Sequence, residues 1–329
     1  MTIAVTGANG LLGSYIIRQL LATQQNFIAL KRKHSDTSLL ADVDEQIQWR
    51  DADVTDPVQL DEALQGVTHV IHAAAIVSFD ARDEEKIFKV NVEGTKNIVN
   101  ACLANNVVRL LHVSSVAALG RNKNQTLIDE SNKWVDNKLN SRYASSKYKA
   151  ELEIYRSQQE GISTVIINPS VILAAADWNK SSAQLFKYVY DERKFYIDGY
   201  LNYVDVRDVA SIACMLLQAP VENQRFILNA GNVSFIDFFS QTAALLQKQP
   251  PRIKLSRGML KLAAFAEMLR ARIMRTNPLI TFETARLAGT KFNYDNKKIM
   301  QKHAVTFTPL YQTLQWCCKN YKQKINPKK

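Results

Sequence analysis

The sequence predicts an α/β protein: a doubly wound parallel sheet with helices on both faces, and a smaller, mostly helical C-terminal lobe. Three observations carry this. Short apolar runs alternate with helical patterns over the first 170 residues, the arrangement of parallel strands joined by crossover helices. Three glycines, Gly7, Gly10 and Gly13, lie between the first strand pattern and the first helical pattern. After Pro169 the alternation loosens and the chain turns helical and basic. Residues 1–170 therefore read as the dinucleotide-type sheet core, and 171–329 as a substrate lobe interleaved with the end of that sheet.

The elements follow in order. Ile3–Thr6 is a β-branched run and reads as a strand. Ile16, Ile17, Leu20 and Leu21 recur at helical spacing and predict a helix over Leu12–Ala22. Phe27–Leu30, Ile47–Arg50 and His69–His72 are the next strands. Val58–Leu64 is the helix between the last two, with Asp56 as N-cap and Pro57 at its first position. Glu84–Asn105 is predicted as one helix, Arg109–Ser114 as a strand, Ala144–Gln159 as a helix and Ser163–Asn168 as a strand. Beyond them, Ser182–Asp191 and Val206–Leu217 read as helices and Phe226–Asn229 as a returning strand; 235–329 is mostly helical.

A chain of 329 residues can build one large domain or two unequal ones. Hydrophobic residues make up 47 % and charged residues 22 %, the balance of a globular protein in water. No run reaches the roughly 18 apolar residues of a spanning helix. No secretory apolar segment precedes the first strand. Cys102, Cys214, Cys317 and Cys318 show neither metal-ligand spacing nor a disulfide framework, so free thiols in a reducing cytoplasm are expected. The net charge of +11 is uneven: from Lys248 onward 18 Lys and Arg stand against 3 Asp and Glu. No nucleic-acid motif accompanies this basic stretch, so nucleic acid is the partner it supports least.

Two motifs carry chemistry. On a strand-to-helix turn, missing side chains let a dinucleotide pyrophosphate approach backbone N–H groups and the positive end of the helix. Tyr143-Ala-Ser-Ser-Lys147 places a phenol and an ammonium on one helical face. A phenol ionises near pH 10, about three units too high for neutral-pH chemistry, and an adjacent lysine favours the phenolate. Tyr190/Lys194 and Tyr294/Lys298 share the spacing. Context selects the first pair, because Leu110–Ser115 reads as a strand ending in Ser114-Ser115. Those hydroxyls lie at the carboxyl edge of the sheet, where open α/β sheets bind ligands.

With these residues in place, the chain resembles the extended short-chain dehydrogenases/reductases, a group that includes the NAD-dependent epimerase/dehydratase family. Thr6–Gly13, His72-Ala-Ala-Ala75, Asn91-Val-Glu-Gly-Thr95, Ser114-Ser115, Tyr143-xxx-Lys147 and Asn168-Pro-Ser170 fall in that group's order and rough spacing. Tyr203-Val-Asp-Val-Arg-Asp-Val-Ala210 looks like the segment that follows its substrate-binding region. The resemblance covers about residues 1–230 and implies a Rossmann-type fold. By resemblance, Tyr143 would be the catalytic acid/base, and Lys147 its activator and a ligand of the nicotinamide ribose. Ser115 would hold the substrate oxygen, chosen over Ser114 because Gly120 follows it by five residues. Asn91 would support a water relay or the cofactor pocket, and His72 would shape that pocket rather than move protons. Gly7, Asn9, Gly10, Leu11, Leu12 and Gly13 would line the cofactor, together with Ala73, Ala74, Asn168 and Pro169. Asp53 and Val54 would meet its adenine edge. A helix-packed homodimer is usual for such relatives.

The second strand ends Ala29-Leu30-Lys31-Arg32-Lys33, with no carboxylate before Asp36. An acidic residue there binds a ribose 2′-OH, whereas Arg accommodates a 2′-phosphate, so Arg32 favours NADP(H) over NAD(H). Val116-Ala117 stand where dehydratases of the resembled group carry Asp-Glu, which argues against elimination of water. Asn168–Ala176 lacks the Gly-Pro turn of sugar-nucleotide relatives. The look is closer to the dihydroflavonol-reductase and 3β-hydroxysteroid-dehydrogenase branch. The expected function is NADP(H)-dependent hydride transfer between nicotinamide and the carbonyl or secondary alcohol of a small molecule. An NAD-retaining nucleotide-sugar epimerase is the alternative. A nucleotide-sensing protein is a third reading, whose usual signature is loss of the Tyr or Lys. Finally, Leu255, Met259, Leu262, Phe265, Leu269 and Ile273 recur at helical spacing among basic residues. This stretch is expected to form a lid over the substrate cleft, with an anionic membrane surface or a subunit contact as alternatives.

Overall fold

The computed structural model describes residues 1–121, 125–137, 140–178, 181–256, 258–260 and 292–325. In chain order the strands of the first half are β1 (Ile3–Thr6), β2 (Phe27–Lys31), β3 (Trp49–Asp51), β4 (His69–His72), β5 (Arg109–Val113), β6 (Leu127–Ile128) and β7 (Ser163–Pro169). Those of the second half are β8 (Val171–Leu173), β9 (Phe195–Ile197), β10 (Tyr200–Asp205), β11 (Gln224–Leu228), β12 (Gly231–Ser234), β13 (Ile253–Leu255) and β14 (Asn293–Tyr294). The helices are α1 (Leu11–Ala22), α2 (Pro57–Ala63), α3 (Glu84–Phe88), α4 (Gly94–Ala104), α5 (Arg142–Gln159), α6 (Ala183–Tyr190), α7 (Val206–Gln218), α8 (Phe235–Leu246), α9 (Lys297–His303) and α10 (Leu310–Ile325).

Every residue of β1 is buried, which a strand sustains only with both faces covered. It lies inside a seven-stranded sheet of order β11-β7-β5-β4-β1-β2-β3, all pairs parallel. Successive side chains face opposite ways. Ile3, Val5, Ile71 and Leu111 pack against α1 and α7 through Ile16, Leu20 and Val209. Ala4, Val70, Leu110 and Ile166 pack against α2, α4 and α5 through Leu60, Ile98 and Ile154. The strand order reverses between β1 and β4, which opens a crevice at their carboxyl ends. β11 comes from the second half of the chain and completes the sheet beside β7.

Departures from the sequence reading are local. The helix expected over Glu84–Asn105 is divided by a π-helical turn, Lys89–Glu93, which contains Asn91. The third strand is displaced to Trp49–Asp51, where it pairs with Ala29–Lys31 of β2, and Ile47 is buried just outside it. The lobe carries strands that were not expected: β10 pairs with β8 and β12, and β9 with β13. Leu255 ends β13, so the predicted lid helix does not begin there. Residues 258–260 are helical; Leu262, Phe265, Leu269 and Ile273 lie outside the described residues. Among the described residues no helix is long and apolar enough to cross a membrane.

The lobe is tied to the sheet through α10. Tyr321 is fully buried; its hydroxyl donates to the Ala174 carbonyl (2.9 Å) and accepts from the Ala176 N–H (3.2 Å). Asp205, fully buried, caps α7 by accepting from the Arg207 N–H (2.8 Å) and also accepts from the Thr313 hydroxyl on α10 (2.9 Å). The Arg207 guanidinium pairs with Asp205 and lies 4.2 Å over the Trp316 ring. Asp205→Ala removes a cap worth about 1 kcal/mol and strands the buried Thr313 hydroxyl, at about 1–3 kcal/mol. Arg207 is 40 % exposed and can turn to water, so it adds little. The expected loss is therefore roughly 2–4 kcal/mol in a urea melt; a loss below about 1 kcal/mol would show that this junction does not hold α10.

Candidate active site

The turn after β1 has no room for a side chain at Gly7 or Gly13. Gly7 adopts φ +66°, and a Cβ on it would stand 2.8 Å from the backbone N and Cα of Ala74. A Cβ on Gly13 would stand 2.0 Å from the Gly7 carbonyl oxygen. The turn is thus closed on itself and on Ala73–Ala74, which follow β4. α1 starts at Gly10 with no side-chain cap and no acidic residue in its first turn. By contrast α2, α5, α7 and α8 are capped by Asp56, Ser141, Asp205 and Ser234. The first N–H groups of α1 remain open donors at the positive end of the helix. Leu11 is half-buried and Leu12 buried beneath them. Asn9 donates to the Asp36 carbonyl (2.9 Å), which ties this turn to the loop after β2. In that loop Arg32 and Lys33 are exposed, while Lys31 is held by Asp51 at 3.0 Å. The Asp53 carboxylate accepts from the N–H and hydroxyl of Thr55 (2.8 Å each), and Val54 packs on Gly94.

A polar chain runs beneath the crevice. Thr95 donates to the Asn91 carbonyl (2.6 Å), so its oxygen is free to accept from His72 Nε2–H (3.0 Å). That leaves His72 Nδ1 to accept from the Thr6 hydroxyl (2.7 Å), whose oxygen in turn accepts from the Ala74 N–H (3.2 Å). Burial, aided by the Lys147 charge, pushes His72 down to about 3, so it is a neutral brace. Asn91 is equally committed. Its Oδ1 accepts from the Ile76 N–H (2.8 Å), and its amide donates to the Ile76 carbonyl and the Ser146 hydroxyl (3.0 Å each). Asn91 lies in the π-helical turn, and its side chain joins that turn to the Ile76 backbone and to Ser146 on α5.

α5 carries Tyr143 and Lys147. Ser141 caps it by accepting from the Ala144 N–H (3.0 Å). Tyr143 is half-buried and meets Phe79 edge-on, with ring centroids 6.0 Å apart. The Ser115 hydroxyl accepts from the Ala117 N–H (3.1 Å) and is the neighbour that opposes the rise of the phenol's pKa. One turn on, Lys147 is 2 % exposed and donates to the Val113 carbonyl at 2.7 Å. Tyr190 ends α6 and Tyr294 lies in β14, so neither of the other Tyr/Lys pairs shares a helix. The expected effect of Lys147 on the phenol is not the dominant one. Burial pushes Tyr143 up to about 12, with Ser115 as the opposing cause, because the ammonium is turned to Val113. Burial pushes Lys147 itself down to about 8, and Glu151 opposes that fall.

Two neighbours of this site, Glu151 and Arg225, were not singled out from sequence. Glu151, fully buried, accepts from the Ser114 hydroxyl (2.5 Å) and the Asn168 amide (2.7 Å) and pairs with Arg225 of β11. The Asn168 amide also donates to the Ser115 carbonyl (2.8 Å), and its Oδ1 is buried without a partner. Pro169 is buried beside it in β7. The continued four-residue spacing Tyr143, Lys147, Glu151 was the available signal for Glu151. No local pattern marks Arg225.

Residues 3–231 match the model of the NAD dependent epimerase/dehydratase family. The chain is 27 % identical over 316 residues to a putative dihydroflavonol 4-reductase from Synechocystis, covering 94 % of this chain and 91 % of that one. It is 30 % identical over 241 residues to a cinnamoyl-CoA reductase from Petunia hybrida, covering 68 % of this chain and 71 % of that one. A solved nucleoside-diphosphate-sugar epimerase from Pseudomonas aeruginosa superposes with a TM-score of 0.78 at 23 % identity, over 98 % of each chain. That likeness shows the shared fold.

Proposed function

This chain belongs to the NAD-dependent epimerase/dehydratase family, and from that premise we propose that it is an NADP(H)-dependent reductase of small-molecule carbonyls. One observation carries the reading. A phenol with the Ser115 hydroxyl as its polar neighbour and a buried lysine one turn away stands at the carboxyl edge of the sheet beside an uncapped helix. The residues present suit a dinucleotide: the turn at Gly7 and Gly13 admits backbone approach, α1 offers open donors, and Asn168 keeps a free acceptor. When bound, the nicotinamide supplies the hydride for the carbonyl carbon, or accepts it in the reverse direction. Tyr143 is held protonated at neutral pH, which suits a proton donor to the substrate oxygen. Ser115 orients that oxygen, and the charge on Lys147 stabilises the phenolate left behind. The reductase names of the two relatives above support this direction of chemistry.

The test is a consumption screen of NADPH and NADH against ketones, aldehydes, acyl-CoA thioesters and nucleotide sugars. Oxidation of NADPH by one of the carbonyl compounds is the expected result. Conversion of a nucleotide sugar with no net cofactor use would replace the reductase by an epimerase. Arg32→Ala is expected to weaken NADPH by about tenfold, the low end for an exposed charge-assisted bond, and to leave NADH nearly unchanged. Equal weakening of both in a fluorescence titration would remove Arg32 from the 2′-phosphate site.

A further inference from the structure

Behind Lys147 lies a buried ionic group that the mechanism above does not use. Glu151 sits one turn after Lys147 on α5 and is fully buried. Its carboxylate joins three elements: Ser114 at the end of β5, Asn168 in β7 and Arg225 in β11. Asn168 passes the connection on to the Ser115 carbonyl. A buried ion pair of this kind seldom adds stability over an apolar replacement of equal volume, so its presence calls for a role other than packing.

The groups facing Lys147 can be named from every side. Tyr143 and Glu151 share its helix, His72 comes from β4 and His112 from β5. Both histidines are buried and held neutral. Among the described residues, Glu151 is the carboxylate that acts on Lys147, and Arg225 pairs with that carboxylate. We propose that Glu151 is a positioning residue: its carboxylate locks the ends of β5 and β7 against α5, so that Ser115 meets Tyr143, and keeps the buried Lys147 ammonium charged, while Arg225 limits that field. This rests on the reading of Ser115, Tyr143 and Lys147 as the reacting set.

The electrostatic signs make the proposal testable. Burial alone drives Lys147 to release its proton, and Glu151 opposes it. Glu151→Gln leaves burial unopposed, so Lys147 loses its proton at lower pH. Arg225→Met removes a competing positive charge, so Lys147 keeps its proton to higher pH. Both variants disturb the same buried cluster, and a purely structural role would not give them opposite signs.

The experiment follows Lys147 in cofactor-free protein labelled with [15N]lysine, its Nζ resonance identified by loss in Lys147→Arg. The expected midpoint falls by about one pH unit or more in Glu151→Gln and rises in Arg225→Met, with Glu151→Asp restoring most of the wild-type value. Unmoved midpoints, or movement in the same direction in both variants, would overturn the proposal. If Glu151→Gln does not fold, Arg225→Met and Glu151→Asp decide alone: a rise in the first is expected, and no rise overturns the idea. The alkaline limb of kcat with NADPH is expected to follow the NMR midpoint. Midpoints that move as expected in a protein with no reductase activity would leave this role intact and defeat only the proposed reaction.

Discussion

Replacing Tyr143 by Phe is expected to lower kcat by about 10²–10⁴-fold, the usual contribution of a general acid, on whichever carbonyl compound the screen identifies. The substitution removes one oxygen. The ring keeps its edge contact with Phe79, and Ser115 keeps the Ala117 N–H. Folding should lose no more than about 1 kcal/mol for the missing hydroxyl, and NADPH affinity should stay close to wild type. Turnover near the wild-type value would remove Tyr143 from the chemistry. In wild type, Tyr143 stays protonated across the neutral range, because burial holds it near 12. Lys147 loses its charge as pH rises through about 8. Reduction should therefore decline on the alkaline side of pH 8 although the proton donor is still loaded.

Gly13→Ala is expected to abolish tight nucleotide binding. The added carbon would meet the Gly7 oxygen at 2.0 Å and the backbone of Gly7 and Ala8 at 2.8 Å, none of which can rotate away. The β1–α1 turn must open, at about 1–3 kcal/mol for overpacking. Opening displaces the first N–H groups of α1, and losing two charge-assisted bonds weakens NADPH by roughly 100-fold or more. Gly10→Ala is the internal comparison, because its added carbon meets a single atom at 3.1 Å. NADPH binding in Gly13→Ala as tight as in Gly10→Ala would show that this turn does not carry the pyrophosphate.

Much of the main sheet was legible because β1, β4, β5 and β7 are almost wholly buried and β1, β3, β4 and β5 lead on to helices. Asp56-Pro57 is a helix-start signal, and the structure shows the Asp56 carboxylate accepting from Val58 and Gln59. The lobe strands were not legible. β8, β9, β12 and β13 are three or four residues long and gain meaning only beside partners tens of residues away. The same limit governs the site. Tyr143 and Lys147 could be paired because a helix fixes their spacing, whereas Arg225 reaches Glu151 only because β11 joins β7. The raised phenol was hidden for a different reason. Sequence gives the neighbours of a titrating group, but burial sets the sign, and burial is decided by elements far along the chain.

The hydroxyl of Tyr321 reaches back to Ala174 and Ala176, and this sets a timetable for synthesis. At about 5–20 residues per second, the ribosome needs on the order of ten seconds to make the stretch that separates these partners. Through that interval β1 to β7 can already pair, while Phe186 and Trp178 lack the Tyr321 ring that meets them in the finished protein. Non-local closure of this kind is slow even once the residues exist. A polypeptide released before Tyr321 would carry an assembled sheet and an open apolar flank, and cellular quality control would meet it as a substrate for proteolysis rather than as a partly working enzyme.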